Sequence, residues 1–203
     1  MCCDGSCGRN YTRFTERDTQ GEPSAAADGS ADRRAVSLGN LEKASRMKSS
    51  VYIETTIPSY LTAWRSPELV MAANQEATRS WWDSARPRYE LFISDIVVQE
   101  SGGGDPDAAK RRLAVIEGIP ELDMSGAVEQ LAGRLLADAA IPENAKTDAL
   151  HIAVAAVHGI DYLLTWNCKH IANAAVRPKI EAVCRACGYE PPIICTPLEL
   201  MEE

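Results

Sequence analysis

The chain alternates short apolar runs with longer segments in which apolar residues recur every three or four positions. Short runs rich in β-branched and aromatic residues are typical of buried strands, and the longer recurrence is typical of amphipathic helices. The pattern predicts strands at residues 49–53, 89–93, 121–124, 162–165 and 191–195. It predicts helices at residues 58–61, 67–85, 95–101, 105–117, 125–139, 146–158 and 177–187. Because strands alternate with helices, we expect an α/β domain with a central parallel sheet covered by helices on both faces.

The segment at residues 146–173 combines a helix that is apolar on almost every side with a short apolar strand. A helix without a polar face is typically buried, and Gly159 provides the residue that a helix exit favours. Two polar residues flank these apolar elements: Asp148 at the start of the helix and Asn167 just past the end of the strand. We expect Asp148 to stay ionised, because a helix N-terminus favours a carboxylate.

Hydroxyl and carboxylate side chains precede two of the shorter predicted helices. Thr55 or Thr56 is positioned to cap the helix at residues 58–61, and Ser94 or Asp95 the helix that follows the second strand.

The first 46 residues differ in composition from the rest of the 203-residue chain. They are rich in Gly, Ser, Ala, Asp and Arg and show no sustained periodicity, which is typical of disorder. We therefore expect a disordered extension at residues 1–46 and one α/β domain at residues 47–203, long enough to bury a core.

Charge and hydropathy narrow the possible functions. The formal net charge of −8 argues against a nucleic-acid binder that works through a basic surface alone. It is compatible with an enzyme that meets phosphate through metal ions held by carboxylates. No apolar run reaches the roughly 20 residues of a membrane helix, and the N-terminus lacks the apolar core of a signal peptide, so we expect a cytoplasmic protein.

The chain contains seven cysteines, an odd number that favours reduced thiols. Cys184 and Cys187 form a C-x-x-C pattern on one face of a predicted helix. A zinc site there would need two further ligands, for which Cys168, His170 and Cys195 are candidates. The favoured interpretation is that these cysteines are small buried hydrophobic residues.

Polar residues stand where several of the predicted strands end. Glu54 follows the first strand, and Glu100 lies in the helix after the second. Asn167 follows the strand at residues 162–165, and Asp148 begins the helix that leads into that strand. In parallel sheets, sites lie at the carboxyl ends of the strands. Converging acids would repel one another without a cation, and oxygen ligands favour Mg²⁺ or Mn²⁺, ions that activate water at phosphodiesters. Each acid taken singly is more often a cap or a surface charge.

Four segments of the chain resemble the PIN domain, in particular the VapC-like ribonucleases of toxin–antitoxin modules. They are VYIETTIPSYL (51–61), ISDIVVQE (93–100), TDALHIAVA (147–155) and LLTWNCKHIAN (163–173). The resemblance implies a three-layer PIN-like fold for residues 47–203 and a metal-dependent endoribonuclease in which Glu54, Glu100 and Asp148 hold the ion. It places Asn167 at the position of a fourth acid, as a ligand of the metal or its water. It also implies a homodimer and a cognate antitoxin that inserts a peptide into the cleft.

Two positions depart from the family pattern. Glu54 stands where the family usually has Asp, and Asn167 stands where many members have Asp, so one side chain is longer and the other lacks a charge. A second hypothesis therefore stays open: a PIN-fold RNA- or protein-binding module with little or no catalytic turnover.

Other residues near these positions are candidates for substrate binding. His151 lies one turn from Asp148 and could contact the scissile phosphate or a metal-bound water, or be a core histidine bonded to a backbone carbonyl. Thr165 could hydrogen-bond a metal ligand or simply end a strand. Lys169 and His170 could contact RNA phosphate or belong to a solvated loop.

Aromatic and basic residues outside the cleft offer further candidate surfaces. Trp64, Trp81 and Trp82 lie among apolar neighbours and favour a dimer or partner surface over a base-stacking platform. The basic run at residues 110–112 favours a solvated helix face, with RNA contact as the alternative.

Overall fold

The structure, a computed structural model, describes residues 48–138 and 140–201. The predicted disordered extension at residues 1–46 lies outside the described residues, as does the predicted boundary at residue 47.

The described residues contain a sheet of five parallel strands in the order β3-β2-β1-β4-β5. The strands are β1 (Ser50–Ile53), β2 (Glu90–Ser94), β3 (Glu121–Leu122), β4 (Tyr162–Leu164) and β5 (Ile193–Cys195). Seven α-helices in the same residues are α1 (Thr56–Thr62), α2 (Leu69–Ser80), α3 (Asp95–Ser101), α4 (Pro106–Ile116), α5 (Gly126–Ala137), α6 (Lys146–Val157) and α7 (Arg177–Ala186). The predicted α/β class and parallel sheet are confirmed, and the arrangement is compatible with three layers.

Strand β1 lies at the centre of the sheet, and all four of its residues are buried. Tyr52 pairs with Phe92 of β2 on one side and with Leu163 of β4 on the other. At the amino end of β1, Ser50 and Asp161 are joined by three hydrogen bonds of 2.8 to 2.9 Å. This clamp holds β1 against the start of β4 and so brings their carboxyl ends, where the polar residues lie, into line.

Helix α6 has the burial that its apolar sequence predicts. Seven of its residues are buried, including His151, and it packs against α5. Gly159 follows the helix at a φ of +63°, a left-handed conformation that favours glycine. The chain then enters β4, so that Asp148 and the residues after β4 lie at the same edge of the sheet.

The segment after α2 differs from the single helix predicted at residues 67–85. Helix α2 ends at Ser80 and continues as a π-helix (Trp81–Ala85) and a 3₁₀ turn (Arg86–Arg88) that carries the chain past Pro87. The wider π turn places both Trp81 and Ala85 in the core.

The prediction that Trp81 contributes to a partner surface is therefore wrong. Trp81 has no exposed surface and stacks on Tyr89 with ring centroids 6.0 Å apart, whereas Trp64 is 83% exposed. The indole Nε1 has no hydrogen-bond partner among the described residues, which costs roughly 1–3 kcal/mol. Burial of roughly 150–250 Å² of indole surface at about 25 cal/mol per Å² stabilises the fold by roughly 4–6 kcal/mol. This gain exceeds the cost of the unpaired N–H group.

The described cysteines are free thiols. Cys184 and Cys195 are buried, Cys187 is half-buried and Cys168 is exposed. Burial raises the pKa of Cys184 and of Cys195 to about 12. The burial of Cys184 and Cys195 agrees with the interpretation of these two residues as small buried hydrophobic residues, whereas exposed Cys168 does not fit it.

No helix in the described ranges has both the length and the apolar character needed to cross a membrane.

Candidate metal centre

The predicted site residues come together where β1 and β4 end. Glu54 directly follows β1, and its backbone N–H donates to the carbonyl oxygen of Leu164 at 3.1 Å. This bond extends the pairing of the two strands by one residue and fixes the backbone that carries Glu54 beside the loop that begins at Thr165.

The Glu54 carboxylate is 5% exposed and is held by a set of donors. Its Oε2 atom accepts hydrogen bonds from the Thr56 N–H at 3.1 Å, the Thr56 hydroxyl at 2.5 Å and the Thr165 hydroxyl at 2.7 Å. Thr165 is fully buried, and its hydroxyl bonds to Glu54, one of the candidate metal ligands. All three donors converge on Oε2, which leaves Oε1 as the oxygen that these residues do not engage.

Glu100 reaches the same region from α3. Its side chain is 38% exposed, and its Oε2 atom accepts from the Thr55 hydroxyl at 2.5 Å and from His151 Nε2 at 3.1 Å. The hydrogen bond from His151 holds the pKa of Glu100 below its ordinary value, against the opposing effect of burial. Glu100 is therefore an ionised, outward-facing carboxylate with one oxygen anchored by the protein.

The hydroxyls predicted to cap helices are used elsewhere. Neither Thr55 nor Ser94 makes a side-chain cap bond, although each precedes a helix. Thr55 donates to Glu100, Thr56 to Glu54, and Ser94 is bonded to Tyr52 at 2.7 Å. The capping predictions for Thr55 and Ser94 are wrong, because each hydroxyl is directed at a side chain distant in the sequence and accepts no backbone N–H from the first turn of its helix.

His151 lies behind Glu100 rather than in the open cleft. It is 1% exposed, and its Nδ1 atom lies 2.8 Å from the Tyr52 hydroxyl. Both ring nitrogens of His151 are thus bonded to side chains, and neither is bonded to a backbone carbonyl. His158 does make a bond of that kind, since its Nε2 atom lies 2.9 Å from the backbone oxygen of Asp123. The burial of His151 makes direct contact with a substrate phosphate unfavourable.

Asp148 and Asn167 form a second pair at the cleft. Asn167 Nδ2 donates to Asp148 Oδ1 at 3.0 Å, and Asn167 Oδ1 accepts from the His170 N–H at 3.0 Å. Burial raises the pKa of Asp148 from its ordinary value, opposed by the bond from Asn167. This shift runs against the one expected from a helix N-terminus. Both ends of the Asn167 amide thus make a hydrogen bond, and its Nδ2 end orients the Asp148 carboxylate.

The ligand atoms of Glu54, Glu100 and His151 form a compact group. One atom from each lies within 4.8 Å of the others, the one group of three or more potential ligands found in the described ranges. Asp148 lies outside this group but close enough for its pKa to respond to the charges of His151 and Glu100. The sequence pattern identified Glu54 and Glu100 as site residues. It did not predict that His151 would lie on the interior side of Glu100 and bond to it.

Comparison of the chain with known protein families, with curated proteins and with solved structures found no match. The donor geometry is therefore the main observation on which a functional proposal rests.

A hard divalent cation fits this set of donors. Glu54 and Glu100 each direct one oxygen to the protein and retain a second, and Asp148 has an oxygen beyond the one bonded to Asn167. Carboxylate oxygens suit Mg²⁺ and Mn²⁺, and a neighbouring imidazole is compatible with Mn²⁺. The two acids nearest each other carry like charges that a cation would offset.

The other two substrate-binding candidates lie in the loop that follows β4. Lys169 is exposed, and half-buried His170 is close enough for its charge to influence the pKa of Asp148. Of the basic run, Arg112 donates to the carbonyl oxygens of Ser101 and Gly103, and Arg111 lies over the Trp64 ring at 5.6 Å. These two arginines serve contacts within the protein, which weakens the case for an RNA-binding patch at residues 110–112.

A cavity of about 750 Å³ is lined by residues of β2, α3 and α4 and by the segment that leads into β3, and its described lining does not include Glu54, Glu100 or Asp148. Its lining is largely apolar and includes Ile93, Leu113 and Ile116. The one group of three potential metal ligands among the described residues lies instead near the carboxyl ends of β1 and β4.

Proposed function

We propose that this protein is a metal-dependent endoribonuclease with a PIN-like fold, the toxin of a VapC-like toxin–antitoxin pair. The observation that carries the proposal is the convergence of Glu54 and Glu100, with Asp148 beside them, at the carboxyl edge of a parallel sheet. These are the acids that the PIN resemblance assigns to the metal.

The chain's own residues prepare this site for a cation and a phosphodiester. Thr56 and Thr165 hold the buried Glu54 carboxylate, Thr55 and His151 hold Glu100, and Asn167 orients Asp148. Mg²⁺ or Mn²⁺ held by these acids would activate water and offset charge on the phosphodiester. Lys169 and His170, in the loop after β4, would orient the RNA backbone.

The partners proposed with this function follow from the same resemblance. They are an RNA substrate, a cognate antitoxin whose peptide enters the cleft, and a second copy of the chain in a homodimer. Exposed Trp64, Leu69 and Val70 provide an apolar surface outside the cleft that is compatible with a protein partner. A cytoplasmic location is proposed together with these partners.

One observation favours the second candidate function, a PIN-fold binding module with little turnover. The fourth acid position carries Asn167, and its amide oxygen is already engaged by the His170 N–H. A site with three carboxylates attracts a second cation less strongly than one with four, which would lower catalytic power while leaving RNA or protein binding intact.

The two functions are separated by incubating the purified protein with total RNA in the presence of Mg²⁺, Mn²⁺ or EDTA. The nuclease proposal predicts fragments with either metal and intact RNA in EDTA. Intact RNA in all three mixtures, combined with a mobility shift, would support the binding module and reject the nuclease.

A further inference from the structure

A line of buried polar groups leads from the core to the candidate metal centre. Ser94 Oγ lies 2.7 Å from the Tyr52 hydroxyl, which lies 2.8 Å from His151 Nδ1, and His151 Nε2 lies 3.1 Å from Glu100 Oε2. Ser94 and Tyr52 have no exposed surface and His151 has 1%, whereas the Glu100 side chain is 38% exposed. We call Ser94, Tyr52 and His151 the buried relay.

The chemistry of these groups sets the direction of the hydrogen bonds. An ionised carboxylate accepts and cannot donate, so His151 Nε2 carries the hydrogen that bonds to Glu100. In neutral His151 the Nδ1 atom is then an acceptor for the Tyr52 hydroxyl, and the Tyr52 oxygen can in turn accept from Ser94. Burial raises the pKa of Tyr52, so its phenol keeps the proton that this arrangement needs.

The relay ends on one oxygen of Glu100 and leaves the other to the cleft. Both described donors to Glu100, Thr55 and His151, bond to Oε2. A glutamate side chain at the surface otherwise samples many rotamers, and ordering it on ligand binding costs conformational entropy. A carboxylate that is fixed before the ion arrives avoids that cost, which is the advantage of a preorganised site.

We propose that the buried relay is a positioning device that orients Glu100 so that Oε1 is presented to a divalent cation. The inference rests on the proposed function, because it assigns Ser94, Tyr52 and His151 to the support of that same metal centre. In this arrangement His151 supports the metal ligand Glu100 through a hydrogen bond and does not itself contact the RNA.

The relay can be interrupted by small changes. Tyr52→Phe removes one hydroxyl and keeps the ring that fills the core. His151→Leu removes the donor to Glu100, and His151→Gln restores an amide N–H close to the position of Nε2. Tyr162→Phe is a matched control, since Tyr162 lies on the neighbouring strand β4 and is outside the relay.

Mn²⁺ binding measured by electron paramagnetic resonance tests the relay without an activity assay, and thermal unfolding without metal is recorded in parallel. Loss of a group that orients a metal ligand weakens affinity by roughly 10- to 100-fold. We expect such a rise in Kd for Tyr52→Phe and His151→Leu, a smaller rise for His151→Gln, and no change for Tyr162→Phe.

Several results would overturn the inference, and they are distinguishable from failure of the proposed function. If the wild-type protein binds Mn²⁺ and the relay variants bind it equally well, or merely melt at lower temperature, the relay is structural and the metal centre stands. If the wild-type protein binds no Mn²⁺, the proposed function and the relay fall together.

A measurement on the unmodified protein covers the case in which a variant fails to fold. The ¹⁵N NMR spectrum of His151 in metal-free protein under mildly alkaline conditions should show Nε2 protonated and Nδ1 unprotonated. An unprotonated Nε2 would contradict the hydrogen bond to Glu100 and reject the relay. Assignment is simple because the chain has three histidines.

Discussion

The side-chain nitrogen of Asn167 donates a hydrogen bond to the Asp148 carboxylate at 3.0 Å, across the 19 positions that separate them in the chain. The Asn167 side chain is therefore a neutral partner for an acid whose pKa is raised by burial. The same amide accepts the His170 N–H through its oxygen and so shapes the loop that follows β4.

Asn167→Asp should convert this hydrogen bond into a contact between two carboxylates. The variant should melt at a lower temperature than the wild type without metal, because like charges at this distance repel. It should gain more stability from Mg²⁺, and it should need less Mg²⁺ for half-maximal cleavage. Calorimetry and a metal titration on one RNA measure these effects.

The matched control for that variant is Asn173→Asp. Asn173 also accepts a backbone N–H, from Ala175, and also donates through Nδ2, but to a backbone oxygen rather than to an acid. It should show no metal-dependent gain. Overlapping Mg²⁺ curves for Asn167→Asp and the wild type would remove Asn167 from the metal centre.

Asp148→Asn should separate metal binding from folding. A carboxyl whose pKa is raised in the folded state opposes folding once it is ionised, and this penalty disappears as pH falls below the ordinary value of 3.8. The variant should therefore be as stable as the wild type or more stable at neutral pH, with the difference lost in acid. Its metal affinity should fall by roughly ten- to a hundredfold or more, because removal of a residue that only supports a metal ligand already has an effect of that size.

Chemical denaturation across pH and Mn²⁺ titration measure the two effects for Asp148→Asn. Asp107→Asn is the control, because Asp107 is an exposed acid in the first turn of α4. A stability loss in Asp148→Asn at neutral pH would show that the carboxylate charge supports the fold, against the direction of its pKa.

Thiol reactivity should follow burial. Cys184 and Cys195, with pKa values of about 12, stay protonated and enclosed at neutral pH, so both should resist iodoacetamide in the folded protein. Exposed Cys168 should be alkylated first among the described cysteines. Peptide mass spectrometry after brief labelling decides this, and rapid modification of Cys184 would indicate local opening of α7.

The composition of residues 1–46 leads to a separate prediction. A shortened chain that begins at Met47 should melt within a few degrees of the full chain, because a segment without apolar periodicity contributes little buried surface. A clearly lower melting temperature would show that the extension packs on the domain.

The hydrophobic pattern was sufficient for the parallel sheet, although not for the order of its strands, and for the expectation that Glu54 and Glu100 converge. Strand β1 is buried along its whole length and lies at the centre, and the rule that sites form at the carboxyl ends of parallel strands placed Glu54 near Glu100. These inferences succeed because strands alternate with helices along the chain, and a helix between two strands returns the chain to the same end of the sheet, so that the strands run parallel.

The support of the site could not be predicted in the same way. His151 bonds to residues 51 and 99 positions away, and Thr55 bonds to Glu100, 45 positions away. Capping preferences describe neighbours in sequence, so they assigned Thr55 and Ser94 to helix ends instead. The burial of Trp81 depends on a π turn, for which the pattern of residues 67–85 carries no distinct signal.

The central claim is that Glu54 holds a cation needed for RNA cleavage, and one rate measurement tests it most directly. The initial rate of cleavage of a single defined RNA in Mn²⁺ is compared for the wild type, Glu54→Gln and the control Glu90→Gln, which alters an exposed glutamate at the start of β2. In Glu54→Gln the amide oxygen of the new side chain can still accept from Thr56 and Thr165, so the fold should persist. Loss of one preorganised group from an active site costs roughly 10²–10³-fold in rate. The account predicts a loss of that size for Glu54→Gln and none for Glu90→Gln; equal rates in all three proteins, or cleavage that persists in EDTA, would contradict it.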